Sequence, residues 1–109
     1  MTTVVNFHHL GKDWASDPEY AYIGRRGRNF TGRFGNPIRL GMMCPVCDAR
    51  HTNAGDTIKC FEVVLRDRLK SDPSFKKDFL LLKGKKLVCF CAPRPCHGDV
   101  IVRILDEPT

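Results

Sequence analysis

Short apolar runs near the start of this chain give way to longer amphipathic ones further along. TVVNF at residues 3–7 and YAYI at residues 20–23 are brief, rich in β-branched or aromatic residues and flanked by polar or glycine-bearing segments, which predicts two strands. Between them, Gly11, Asp17 and Pro18 mark a connection. From residue 56 the period changes. Ile58, Phe61, Leu65 and Leu69 recur at three- and four-residue steps, predicting a helix capped by Asp56 and running to about residue 70.

Asp72-Pro73 predicts a second helix start, with proline in the first turn where its missing N–H is harmless, and Lys83-Gly84 a helix end. LVCFC at residues 87–91 reads as a buried strand. A final helix from about Cys96 to Leu105 would bury Val100, Ile101, Ile104 and Leu105. The order strand, strand, helix, helix, strand, helix predicts an α/β fold. It is expected as a small two-layer or three-layer sandwich, with helices packed on a sheet of three or four strands. Residues 1–109 form a single domain in this reading, with a Cys-rich, zinc-knuckle-like insertion at about residues 41–55.

Composition adds little until charge is located. The formal net charge is +6 over 109 residues. Residues 24–40 (GRRGRNFTGRFGNPIRL) hold five arginines, four glycines and no acid. Glycines let a backbone turn and aim its N–H groups, and arginines supply forked cationic donors suited to phosphate oxygens. The segment therefore reads as an anion-holding loop, against the plainer alternative of a solvated, charged turn. No apolar run suits a membrane span, and MTTVVNF lacks the layout of a secretory signal, so a cytoplasmic setting is expected.

A reducing compartment turns six cysteines toward metal or catalysis rather than disulfides. Cys44-x2-Cys47, followed by His51 and Cys60, makes a four-ligand set for a structural Zn2+, with Cys60 ligating from the first turn of a helix; two exposed thiols in a turn is the alternative. Around the last helix three readings stay open. Cys96 is a nucleophile with His97 as base; or Cys91, Cys96 and His97 ligate a metal, alone or with Cys44 and Cys47; or the cysteines pack a tight turn while His97 and Asp99 touch a ligand. The last is preferred, then the metal; the nucleophile comes third, because adjacent helical residues point about 100° apart, which argues against a direct Cys96–His97 pair. Asp99 also serves its own helix N-terminus in a purely structural reading. His8 and His9 read as surface residues and Trp14 as a lid or core anchor.

YIGR at residues 22–25, FGNP at residues 34–37 and CFCAPRPCHGDV at residues 89–100 resemble the phage and bacterial family catalogued as domain of unknown function 4326. Phe34 stands where many members carry tryptophan, and residues 44–51 are a richer insertion than many show. The resemblance implies an α/β fold and a phage or bacterial setting, and it supplies no reaction.

The expectation from these residues is a protein that binds a phosphorylated nucleotide or nucleoside-derived ligand, with processing and sequestration both open. Gly24, Arg25, Arg28, Arg33, Gly35, Asn36, Arg94, Cys96 and Gly98 form the expected binding set, with His97 and Asp99 as acid/base candidates. The two segments are expected to share one hollow beyond the carboxyl ends of the strands. The alternative is a zinc-stabilised nucleic-acid-binding protein, though few aromatics interleave with the charges. A host-protein partner is allowed by size and has no residue in its favour.

Overall fold

A computed structural model describes residues 2–11, 13–25, 32–53, 55–90 and 97–107. Three strands, β1 (Thr3–Asn6), β2 (Tyr20–Tyr22) and β3 (Lys86–Cys89), form one parallel sheet in the order β1-β3-β2. Leu87, Val88 and Cys89 of the central strand are fully buried, as befits a parallel strand covered on both faces. The register aligns Val4 and Ala21 with Leu87, and Val5 and Tyr22 with Val88.

Val4, Leu87 and Ala21 belong to the main core, which they share with α1 (Ile58–Ser71), α2 (Pro73–Leu80) and α3 (His97–Leu105). The Tyr22–Val88 face carries the aromatics instead. Phe7 and Trp14, from two 3-10 turns in the connection after β1, meet edge-on at 5.8 Å, and Phe7 lies 4.8 Å from Phe90. Trp14 thus anchors the connection, and His8 and His9 are exposed, both as expected. No helix among the described residues is long and apolar enough to cross a membrane.

Helix boundaries shift where side chains find other work. Asp56 does not cap α1: its Oδ2 accepts from the Asn53 amide, and the N-cap is Thr57. Asp72 does cap α2, accepting from the Phe75 amide at 3.0 Å. That helix stops at Leu80, short of the expected Lys83-Gly84; single turns then bring Leu82 into the core, and Gly84 reverses the chain at φ +84°.

α1 and α3 are joined by apolar packing and by an ion network. Glu62 accepts from Arg66 and Arg103, and Arg66 also reaches Glu107 at 2.6 Å. The N-terminal end of α3 seats on the sheet through Gly98, where a Cβ would lie 2.8 Å from Ile23 Cδ1 and 3.1 Å from Val4 Cγ2. Only glycine lets this helix approach so closely.

Candidate functional site

The arginine segment leaves β2 through a backbone knot. Tyr22 folds its ring over Gly24 and donates its hydroxyl to the Arg25 carbonyl at 2.7 Å. Gly35 returns against the same stretch: a Cβ there would sit 2.6 Å from the Gly24 carbonyl oxygen and 2.9 Å from Arg25 Cα. Arg25 closes the knot, donating Nε to the Asn36 carbonyl at 2.9 Å and Nη2 to the Ile38 carbonyl at 2.7 Å. The YIGR and FGNP motifs are therefore two halves of one backbone junction.

Asn36 extends that junction to the helices. It is buried, its Oδ1 accepts from the Ile38 amide, and its Nδ2 donates to Thr57 Oγ1 at 2.9 Å. A buried amide so satisfied fixes geometry, because losing either partner leaves a polar group unpaired.

Beside the junction lies a cleft of ≈ 340 Å³. Among the described residues, Arg25, Arg33, Arg39 and Arg68 supply its charge, Phe34, Phe61 and Phe75 its aromatic wall, and no acidic residue lines it. Arg68 lies 3.9 Å over the Phe75 ring, a cation–π contact that presets the guanidinium. Arg33 is held at 3.0 Å by Asp78 from α2. Arg68 was not among the residues expected from sequence, although the signal was present. It falls three residues after Leu65 and four after Val64, so a cation stands at the edge of the apolar stripe of α1.

Among the described residues, no part of α3 lines this cleft. His97 is buried, donates Nε2 to the Ile23 carbonyl at 2.6 Å and meets Phe61 edge-on. Burial lowers its pKa, and Arg25 adds to this, so the ring is held toward its neutral form. The room expected at Gly98 for a ligand is filled by Ile23 and Val4. Asp99 is exposed in the first turn of α3. Arg28, Arg94, Cys91 and Cys96 lie outside the described residues. The shared hollow expected between the two segments is thus, among the described residues, a cleft between the arginine loop, α1 and Phe75 of α2.

The cysteine segment folds as a short hairpin directly after the loop. Met43 bridges to Arg50, the Cys44 amide donates to the Ala49 carbonyl at 2.8 Å, and Asp48 takes the left-handed turn at φ +58°. Ligand atoms of Cys44, Cys47, His51 and Cys60 all lie within 4.8 Å of one another. Cys60 is the third residue of α1, so the ligand from inside the helix comes from its first turn, as expected.

The chemistry of this cluster fits a cation. Burial would raise the Cys44 thiol, yet the amides of Cys47 and Val46 outweigh it and bring it down to about 6. Cys60 is pushed up to about 11 by burial and by its neighbours Cys44 and Cys47, since adjacent thiolates repel without a cation between them. Cys44, Cys47 and Cys60 are free thiols. Thiolates on one zinc at about 2.3 Å stand roughly 3.8 Å apart, so closing on an ion takes small side-chain shifts.

Three comparisons bear on this arrangement. The family model described as Domain of unknown function (DUF4326) matches residues 5–107. A protein of Enterobacteria phage T4, described as "Uncharacterized 12.4 kDa protein in nrdA-td intergenic region", is 37% identical over 58 residues, covering 50% of this chain and 54% of the phage protein. The chain thus spans about half the length of that relative. No solved structure matches.

Proposed function

The chain belongs to the DUF4326 family, and we propose that it binds a phosphorylated nucleotide or nucleoside-derived ligand in the arginine cleft. The observation that carries this reading is the lining itself: among the described residues, four arginines converge on an aromatic wall, and the lining includes no carboxylate, although Asp78 holds Arg33 from outside it. In this reading Arg33, Arg39 and Arg68 take phosphate oxygens, Phe34 offers a half-buried ring to a planar base, and Arg25 keeps the wall in place. No bond-breaking step is assigned to His97 or Asp99, because neither lines the cleft.

The Cys/His cluster is read as a structural Zn2+ site. Three sulfurs and one imidazole suit zinc, and four protein ligands leave no open position for chemistry. One metal per chain by elemental analysis is the expected result; a zinc content near zero in protein purified without chelator refutes it.

One observation favours a second reading, nucleic-acid binding. Leu40, Met42 and Met43 are exposed on the metal hairpin beside Arg39, so an apolar and basic surface continues from the cleft. A thermal-shift and calorimetric panel separates the two. Saturable stabilisation by a mononucleotide or dinucleotide, abolished in Arg68→Ala, supports the first. Binding of oligonucleotides alone, weakening steeply between about 50 and 200 mM salt, replaces it with the second.

A further inference from the structure

The two walls of the cleft are each tied to the metal cluster, by different routes. The loop wall runs from Asn36 through Ile38 and Arg39 into the hairpin that carries Cys44, Cys47 and His51. Ile38 and Cys44 are both fully buried in the same core, so this route is short and packed. The helix wall is α1, where Cys60 occupies the first turn and the next residue, Phe61, begins the lining that continues to Arg68. A metal held by these four ligands therefore cross-links loop and helix.

Among the described residues, two hydrogen bonds join the walls independently of any metal: a long one from Arg68 Nη1 to the Arg33 carbonyl at 3.4 Å, and a buried one. Thr57 Oγ1, at the N-cap of α1, accepts from Asn36 Nδ2 at 2.9 Å, and both residues are buried. Thr57 makes no side-chain cap to its own helix, so its hydroxyl serves the loop. Asn36 in turn holds the Ile38 amide, and the carbonyls of both residues receive Arg25. Cluster, Thr57, Asn36 and cleft form a contiguous network of bonds rather than a loose neighbourhood.

We propose that metal loading at Cys44, Cys47, His51 and Cys60 sets the cleft's affinity for its anionic ligand, with Thr57 as the positioning residue that transmits the coupling. This rests on the reading of the cleft as a phosphate site. Loading fixes α1 against the loop, so Arg68 and Arg39 stand at one spacing; without the metal, the Thr57–Asn36 bond, the long Arg68–Arg33 contact and apolar packing resist separation of the walls. Linkage requires the reverse effect at equal strength: an anion in the cleft tightens the metal.

The test uses inorganic pyrophosphate as probe and the full chain in reducing buffer. Calorimetry compares zinc-loaded with chelator-stripped protein, and competition with a chromophoric chelator measures zinc affinity with and without saturating pyrophosphate. The expected result is a loss of about tenfold in pyrophosphate affinity on stripping, mirrored by an equal gain in zinc affinity when pyrophosphate is present. Thr57→Val in the loaded state should retain stoichiometric zinc, bind pyrophosphate several-fold more weakly and lose the mutual enhancement, with Thr57→Ser restoring both; several-fold here means less than about a factor of ten. Equal pyrophosphate affinity in loaded and stripped protein overturns the proposal. Should stripping unfold the chain, by circular dichroism, Thr57→Val with wild-type affinities and enhancement overturns it. Loaded wild type that binds neither pyrophosphate nor any nucleotide instead refutes the phosphate site itself, a separate result.

Discussion

Arg25 and Arg68 carry the same side chain into the same cleft and do different work there. Arg25 has backbone carbonyls within reach on two sides and gives its Nε and Nη2 to them. Arg68 reaches the cleft from the last turn of α1, rests on the ring of Phe75 and makes only a long contact, 3.4 Å from Nη1, to the Arg33 carbonyl. A guanidinium closing a loop and one poised above an aromatic look alike in sequence, and the difference lies in what the backbone nearby leaves unpaired. Structural and ligand-facing arginines can therefore alternate within one basic segment.

The sharpest way to break that contrast is to break the junction Arg25 closes. Gly35→Val would drive a side chain into the Gly24 and Arg25 backbone, which cannot yield as a flexible side chain can. The expected cost is about 3 kcal/mol or more, read as lost folded protein or a steep fall in melting temperature. Wild-type stability in this variant would mean that the two motifs do not meet.

Removing a member of the Cys/His cluster comes next. Cys60→Ser takes one donor from the cluster and leaves a polar group in a buried first turn, and a loss of about 2–4 kcal/mol in chemical denaturation is expected in zinc-containing buffer. Unchanged unfolding with and without chelator would show that the four ligands stabilise nothing.

The paired arginine variants test the comparison directly. Arg25→Ala should cost about 1–3 kcal/mol of stability, because two buried-edge carbonyls lose their donor. Arg68→Ala should stay within about 1 kcal/mol of wild type while losing roughly tenfold or more in affinity for a phosphorylated ligand. Equal stability losses in the two variants would erase the distinction.

The smallest effect is electrostatic and concerns α1 and α3 rather than the cleft. Arg103 and then Arg66 hold the Glu62 carboxyl down to about 2, below the ordinary 4.5. A depressed carboxylate contributes stability above its unfolded pKa and loses it as pH falls from about 4.5 toward about 2. The loss should be about 1 kcal/mol or less, given the partly exposed partners, and Glu62→Gln should flatten the acid limb of a stability–pH profile. An identical acid limb in the variant would remove the network from the account.

What could be read in the sequence was mostly local. The Asp72-Pro73 start of α2, the hairpin ligands and the entry of Cys60 from a first turn all depend on neighbours a few residues away. The misreadings came from competing partners, most of them distant in the chain. Asp56 looked like a cap, but the turn at Asn53 claimed its carboxylate, and Thr57 stood at the cap with its hydroxyl directed to Asn36. Gly98 looked like room for a ligand because nothing in its surroundings along the chain announces Val4 and Ile23. Arg68 was hidden by distance too. Its helix was visible, but the loop it would face was not.

The strand order has a consequence for how the chain comes together. Both strand pairs contain β3, so the two edges made first in synthesis have no sheet partner until residues 86–89 leave the ribosome. The sheet waits on its central strand, and both of its pairings become possible only then. Such non-local assembly favours slow folding, and a nascent chain halted before Lys86 would present two lone strands and a helical hairpin with nothing to close around.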